Sequence, residues 1–373
     1  MNAAWIDDSQ SLRAFCDAVT GAVAVDTESD HFHAYDARVC LIQLASGGEA
    51  ALVDPLAMDA AALEPLFAML ESPDIVKVLH AGRNDILEID RDWERTINSM
   101  FDTQIAARFV GLGGNSLDFL LEDLVGVEPG KSFQKFDWTT RPLPDDKAEY
   151  ATADVRHLLE IRELLVDRLE ESGWLEPFRQ QCSYVSTMRH EPNAFDPEDW
   201  RRVRGADGLD AAGRRTMSEL FRWRHEMCRE VNRAALHVFP NGALLHIART
   251  RPSSKSELDT VRSLPAETLE RFGDDILRVI EDAASVETPP ESRPKRRRRE
   301  RPSQDVYRRH KRLKKWRNKT KDELDIPGEF IATNANLMEI AQNPPSNLDE
   351  LGQFEAVLPW HVEMFGDEIL DQM

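Results

Sequence analysis

Asp26 and Glu28 stand two residues apart at the end of the apolar run in GAVAVDTESD. On a β-strand, residues i and i+2 project from the same face, so both carboxylates would leave one side of a strand whose preceding residues are buried. Like charges sharing a face repel, and such carboxylates are natural ligands for hard divalent cations such as Mg²⁺ or Mn²⁺. Taken alone, the pair suits an acidic turn after a strand equally well. EYATADV adds Tyr150 and Asp154 at i and i+4 in a helical pattern, one turn apart on one face. That spacing is also found on plain surface helices. A further carboxylate, Asp85, follows the apolar run DIVKV in LHAGRNDI, where Asn84 or Asp85 would also serve to cap a helix.

Such groups need rigid elements to hold them. Up to about residue 120, short β-rich runs alternate with helical ones: GAVAVDTE, RVCLIQLA and AALVDP, then ALEPLFAMLES at helical period, then DIVKVLHA. The three closely spaced runs predict antiparallel neighbours, and the helix before DIVKVLHA predicts a crossover into the same sheet. Helical segments follow around NDILEI, DTQIAARFVG and SLDFLLEDLVGV. After them come the irregular stretch KSFQKFDWTTRPLP and one long helix from about Asp145 to Glu171.

Beyond Pro192 the strand signals stop, and two stretches overlay without a gap at an offset of 93 residues. Trp223-Arg224 falls on Trp316-Arg317, Asn241 on Asn334, Pro252-Ser253 on Pro345-Ser346, and Phe272-Gly273-Asp274 on Phe365-Gly366-Asp367. This is an internal repeat of two small all-helical modules, with the matched Trp, Ile, Leu and Phe expected in their cores.

The chain has 373 residues, enough for two or three domains, and a net charge of −20. The sign is unevenly spread. From Glu291 to Lys321 there are 16 Lys or Arg against 3 Asp or Glu, a basic island of +13 centred on Arg297, Arg298 and Arg299. We expect it to track backbone phosphates, which an otherwise acidic chain would repel; a solubilising linker is the competing reading. Cys16, Cys40, Cys182 and Cys228 are scattered, with no CxxC pair or zinc-ligand spacing, which predicts reduced thiols. No run approaches ~18 uninterrupted apolar residues and the N-terminus lacks a leader pattern, so the expectation is a cytoplasmic protein with no membrane partner.

In the order VDTES, LHAGRND and EYATADV, the chain resembles the DEDDy 3′→5′ exonucleases of the ribonuclease D type. Asp26 and Glu28 match the first motif, Asp85 the second, and Tyr150 with Asp154 the third. The stretch KSFQKFDWTTRPLP resembles the segment before that third motif, and the repeats resemble HRDC domains. HRDC domains often carry Asp where this chain has Asn241 and Asn334, and the second copy has acidic residues at surface positions that are basic elsewhere.

The resemblance implies an RNase H-like α/β exonuclease domain, a mixed sheet flanked by helices, over residues 1–190. Two all-α HRDC-like domains would follow at 212–285 and 309–373, joined by a basic linker at 286–308. It implies two divalent metal ions, Mg²⁺ or Mn²⁺, with Asp26 bridging both, Glu28 and Asp154 completing the site that activates water, and Asp85 holding the second ion directly or through water. The expected reaction releases nucleoside 5′-monophosphates from RNA, at single-stranded 3′ ends of structured RNAs such as transfer RNA precursors. A DNA exonuclease and a non-catalytic RNA-binding scaffold are the rival readings. His31, His33 and His80 lie close to the motifs and are expected to be hydrogen-bonded or solvent-facing.

Overall fold

The computed structural model describes residues 3–131, 133–192, 194–289 and 302–373. Two compact units emerge. The first contains residues 1–29, 39–190 and 302–373, and the second contains 30–38 and 191–301.

The first unit is organised on a six-stranded sheet of order β1-β4-β3-β2-β5-β6. The strands are β1 (Ala4–Ile6), β2 (Ala22–Ser29), β3 (Val39–Ser46), β4 (Glu49–Val53), β5 (Val76–Leu79) and β6 (Met100–Asp102). The predicted antiparallel trio is β2, β3 and β4, and β5 joins β2 in parallel after the predicted crossover. β1 and β6 have only three residues each, too few to show a period, and add parallel edges against β4 and β5. Alternation along β2 sends Val23 and Val25 into the main core and leaves Asp26 and Glu28 on the opposite face.

Helices α1 (Ser9–Ala18), α2 (Glu64–Glu71), α3 (Arg83–Trp93), α4 (Thr103–Phe109) and α5 (Leu117–Leu120) accompany the sheet. The predicted single helix at 145–171 is instead two, α6 (Asp145–Arg156) and α7 (Leu158–Glu171). His157 between them leaves the helical region, with φ −110° and ψ 1°. The break has a packing cause: α6 lies on β2, β3 and β4, whereas α7 packs against β2, β5 and α4, and one straight rod cannot follow both. α8 (Leu175–Ser186) completes this part.

The first repeat comprises α9 (Ala211–Glu230), α10 (Ala235–Val238), α11 (Asn241–Thr250), α12 (Lys255–Leu258) and α13 (Ala266–Asp282). The second comprises α14 (Gln304–Leu324), α15 (Gly328–Ile331), α16 (Asn334–Gln342), α17 (Leu348–Leu351) and α18 (Pro359–Leu370). Equivalent atoms repeat the same contacts. Arg224 donates to Phe239 O at 3.0 Å and Asn241 Oδ1 at 2.7 Å, and Arg317 donates to Ala332 O and Asn334 Oδ1, both at 3.1 Å. Each Asn thus holds an arginine inside its own module. Trp223 meets Phe272 edge-on at 6.0 Å and Trp316 meets Phe365 at 5.8 Å. Ser254 and Asn347 cap the equivalent short helices.

The two copies differ in what covers them. The first has its own core around Trp200, Leu220, Phe239, Ile247 and Ile276. It also holds residues 30–38, with Ala234 N–H donating to His33 O at 2.8 Å and Asp36 N–H donating to Asn232 Oδ1 at 2.9 Å. The second shares the core of the six-stranded sheet: Phe330 stacks on Phe109 at 4.5 Å, Trp360 N–H donates to Gln180 Oε1 at 2.9 Å, and Arg108 pairs with Glu329.

Arg297, Arg298 and Arg299 lie outside the described residues. The C-terminal part of the basic island is helical, because α14 begins at Gln304 behind a Ser303 cap. Among the described residues no helix is long and apolar enough to cross a membrane, and all four cysteines are buried free thiols.

Candidate active site

Three elements converge on one face of the sheet. β2 supplies Asp26 and Glu28, α6 supplies Tyr150 and Asp154, and the first turn of α3 supplies Asp85. Asp26, Glu28 and Asp154 are partly buried and each offers a carboxylate oxygen within 4.8 Å of the others'. Asp85 is buried, and its Oδ1 accepts the Thr27 hydroxyl at 2.6 Å. It is held beside the trio through the residue between Asp26 and Glu28.

This crowding is visible in the electrostatics. Burial and then the charges of Asp85, Asp154 and Glu28 hold Asp26 well above the usual carboxylate range. Burial, followed by Asp154 and Asp85, pushes Glu28 up to about 8. Asp85 and Asp154 are both pushed up to about 7, mainly by burial, against the lowering hydrogen bonds from Thr27 and Tyr150 respectively. Four hard oxygen donors whose negative charge is unfavourable until a cation joins them are a donor set that fits Mg²⁺ or Mn²⁺.

Tyr150 is fixed from behind. Its ring meets Phe133 edge-on at 5.5 Å and lies near-parallel to Trp138 at 6.2 Å, and its hydroxyl hydrogen-bonds Asp154. Burial first, then the three facing carboxylates, raise the phenol far above its ordinary value, so it stays protonated. The irregular stretch carrying Phe133 and Trp138 is pinned to the sheet by Arg141. Its guanidinium bonds Asp54 through Nε and Nη2, both at 2.7 Å, and donates to Cys40 O at 2.7 Å and Trp138 O at 2.8 Å.

The turn leading to Asp85 has its own anchor in Asp102, buried at the end of β6. Its carboxylate accepts Gly82 N–H at 2.8 Å and Ala81 N–H at 3.1 Å, and it caps α4 by accepting from Gln104 and Ile105. Ala81 adopts φ 56°, a conformation that disfavours a side chain, so the turn needs this hold. Gly82 must lack a Cβ, which would come within 2.7 Å of Leu79 Cβ. Asp102→Ala is expected to destabilise the metal-free protein by about 2 kcal/mol from the lost cap alone, read by chemical denaturation. A loss below about 0.5 kcal/mol would show that the turn holds itself.

The sequence reading missed Asp102 and Arg141, since an acid before a helix and an arginine before a proline are common and their partners lie 20 and 87 residues away. The nearby histidines are not part of the cluster. His80 Nδ1 lies 2.9 Å from Thr103 Oγ1, and burial lowers it to about 4, which keeps it neutral; His33 stacks on His237 at 5.4 Å, and His31 packs on Phe32 at 4.4 Å.

Clustered carboxylates and a tyrosine carried by a mixed α/β sheet define a 3′→5′ exonuclease, and the family model described as a 3′-5′ exonuclease matches residues 3–170. The HRDC domain model matches 214–280 and 308–372. Ribonuclease D of Escherichia coli (strain K12) is 34% identical over 290 residues, covering 77% of this chain and 76% of that protein. Among solved structures, E. coli RNase D, described as an exoribonuclease involved in structured RNA processing, superposes with a TM-score of 0.65 at 29% identity over 100% of this chain and 98% of that one. The catalytic core of RRP6 from Trypanosoma brucei gives a TM-score of 0.70 at 26% identity over 76% and 80% of the two chains. This chain belongs to the ribonuclease D family.

Proposed function

We propose that this chain is a metal-dependent 3′→5′ exoribonuclease that releases nucleoside 5′-monophosphates from RNA. The observation that carries the reading is the set of three carboxylates within 4.8 Å of one another, with Tyr150 hydrogen-bonded to one of them. Asp26, Glu28 and Asp154 would hold the ions together, and Asp85, oriented by Thr27, would complete the set directly or through water. When bound, two divalent ions supply an activated water and offset charge on the attacking and leaving oxygens. Asp26, Glu28, Asp85 and Asp154 would hold those ions, and Tyr150, as a fixed O–H donor, orients Asp154 and the groups facing it.

The substrate we propose is a structured RNA with a short unpaired 3′ end, such as a transfer RNA precursor; the E. coli relative is described as involved in structured RNA processing. In this reading residues 1–190 cut, and the helical domains at 212–285 and 309–373, joined by the connection at 286–308, hold the body of the RNA.

The test is an assay on matched 3′-labelled RNA and DNA oligomers with Mg²⁺, Mn²⁺ or EDTA. Labelled 5′-monophosphate should appear first from RNA, vanish with EDTA and return with excess metal. Faster release from DNA would replace the substrate half of the proposal, and release that persists in EDTA would overturn the metal half.

A further inference from the structure

Gln43 of β3 lies directly opposite Asp26 of β2. Cross-strand partners in an antiparallel pair project to the same face with Cβ atoms about 4.5–5.5 Å apart, so the Gln43 carboxamide shares the face of the Asp26 carboxylate. Leu41, two residues earlier, is opposite Glu28, and Leu52 of β4 is opposite Gln43. Leu41 and Leu52 pack with Trp138, Ala151 and Tyr150. The side chain therefore runs beneath α6, behind the carboxylate cluster.

Gln43 is 0% exposed, and neither Oε1 nor Nε2 has a hydrogen-bond partner among the described residues. The indole N–H of Trp138, in the same packed group and also 0% exposed, is equally without one. Native proteins satisfy the large majority of buried polar groups, and an apolar residue of the same volume would fill this place with no such penalty. Three orphaned polar atoms behind the site call for a partner.

We propose that Gln43 is a positioning residue for Asp26. With a cation bound, its Nε2–H would donate to an Asp26 carboxylate oxygen, and the Trp138 indole N–H would donate to Oε1 and so fix which end of the amide faces Asp26. A neutral donor suits the task, because Lys or Arg there would neutralise the charge that a cation needs. Arg141, which donates to Trp138 O, secures the far end of this relay. The inference rests on the reading of Asp26 as a metal ligand.

The test uses the full chain and two readouts, the rise in melting temperature caused by Mg²⁺ or Mn²⁺ without RNA, and single-turnover cleavage across metal concentration. Gln43→Met should melt at or above the wild type without metal, while the half-saturating metal concentration rises by roughly 10- to 100-fold in both readouts. Trp138→Phe, which keeps the ring and removes the N–H, should shift it less in the same direction. Gln43→Asn, whose amide falls a methylene short, should also raise it and serves if the Met variant does not fold. Wild-type metal dependence in the variants overturns the proposal, as does a lower melting temperature with unchanged metal dependence, which marks Gln43 as packing only. If the wild type itself shows no metal-induced stabilisation, the underlying reading of Asp26 fails, and this inference with it.

Discussion

Asp26→Asn and Asp154→Asn are each expected to abolish RNA hydrolysis while leaving a protein that melts higher than the wild type when both are metal-free. The two effects share a cause. Asp26 lies among Asp85, Asp154 and Glu28, whose charges add to burial in disfavouring its ionised form. Removing one charge relieves the others and removes a ligand. Loss of a single hydrogen-bond donor at an active site costs about 10²- to 10³-fold in rate, and loss of a carboxylate from the proposed metal site should exceed that.

The sign of the pH dependence follows. Glu28 at about 8, with Asp85 and Asp154 at about 7, lie above the ~4 of an unfolded carboxylate, so the folded chain binds their protons more tightly. That stability is fully present below about pH 4 and is lost as pH rises through 7 to 8. Metal-free wild type should therefore melt progressively lower from pH 5.5 to about 8.5, and Asp26→Asn should flatten the decline. Saturating Mg²⁺ should act in the opposite sense, because the ions bind the ionised ligands. A variant that melts lower than the wild type with the same pH slope would mean that the cluster is not under the repulsion described.

Tyr150→Phe carries the second large effect, a fall of roughly 10²- to 10⁴-fold in the single-turnover rate with RNA affinity nearly unchanged. The ring keeps its contacts with Phe133 and Trp138, so the fold is preserved and only the hydroxyl is lost. That hydroxyl is a donor. Burial and the facing carboxylates raise it far above its ordinary value of about 10, which rules it out as a base at neutral pH. The wild-type rate should accordingly show no gain at alkaline pH that disappears with the hydroxyl. Weakened RNA binding with an unchanged rate at saturation would instead make Tyr150 a substrate contact.

The parts of this structure legible in the sequence were those written in a local period. β2, β3 and β5 read as strands because their apolar residues run together between turn signals, and the repeat showed itself because both copies keep the same spacing. β1 and β6, at three residues, hold no period to read. The break at His157 has no proline or glycine to announce it and arises from the different surfaces that α6 and α7 must cover. Asp85 could be assigned only by resemblance, since its link to Thr27 spans 58 residues. Gln43 is the extreme case: in LIQLA it looks like one polar residue in a buried strand, and only the register with β2 sets it beside Asp26.

The two repeats descend from one pattern but have unequal freedom. The first keeps its hydrophobic residues to its own unit, so a mutation in that core is paid for within the unit. The second has lent its hydrophobic face to the sheet that carries the carboxylates, with Phe330 and Trp360 against Phe109 and Trp174. A protease that cut before α14 and freed the C-terminal piece would not trim an appendage but uncover the catalytic domain's interior. In a lineage shedding domains, the second repeat could go only after the surface beneath it had been rebuilt as an exterior.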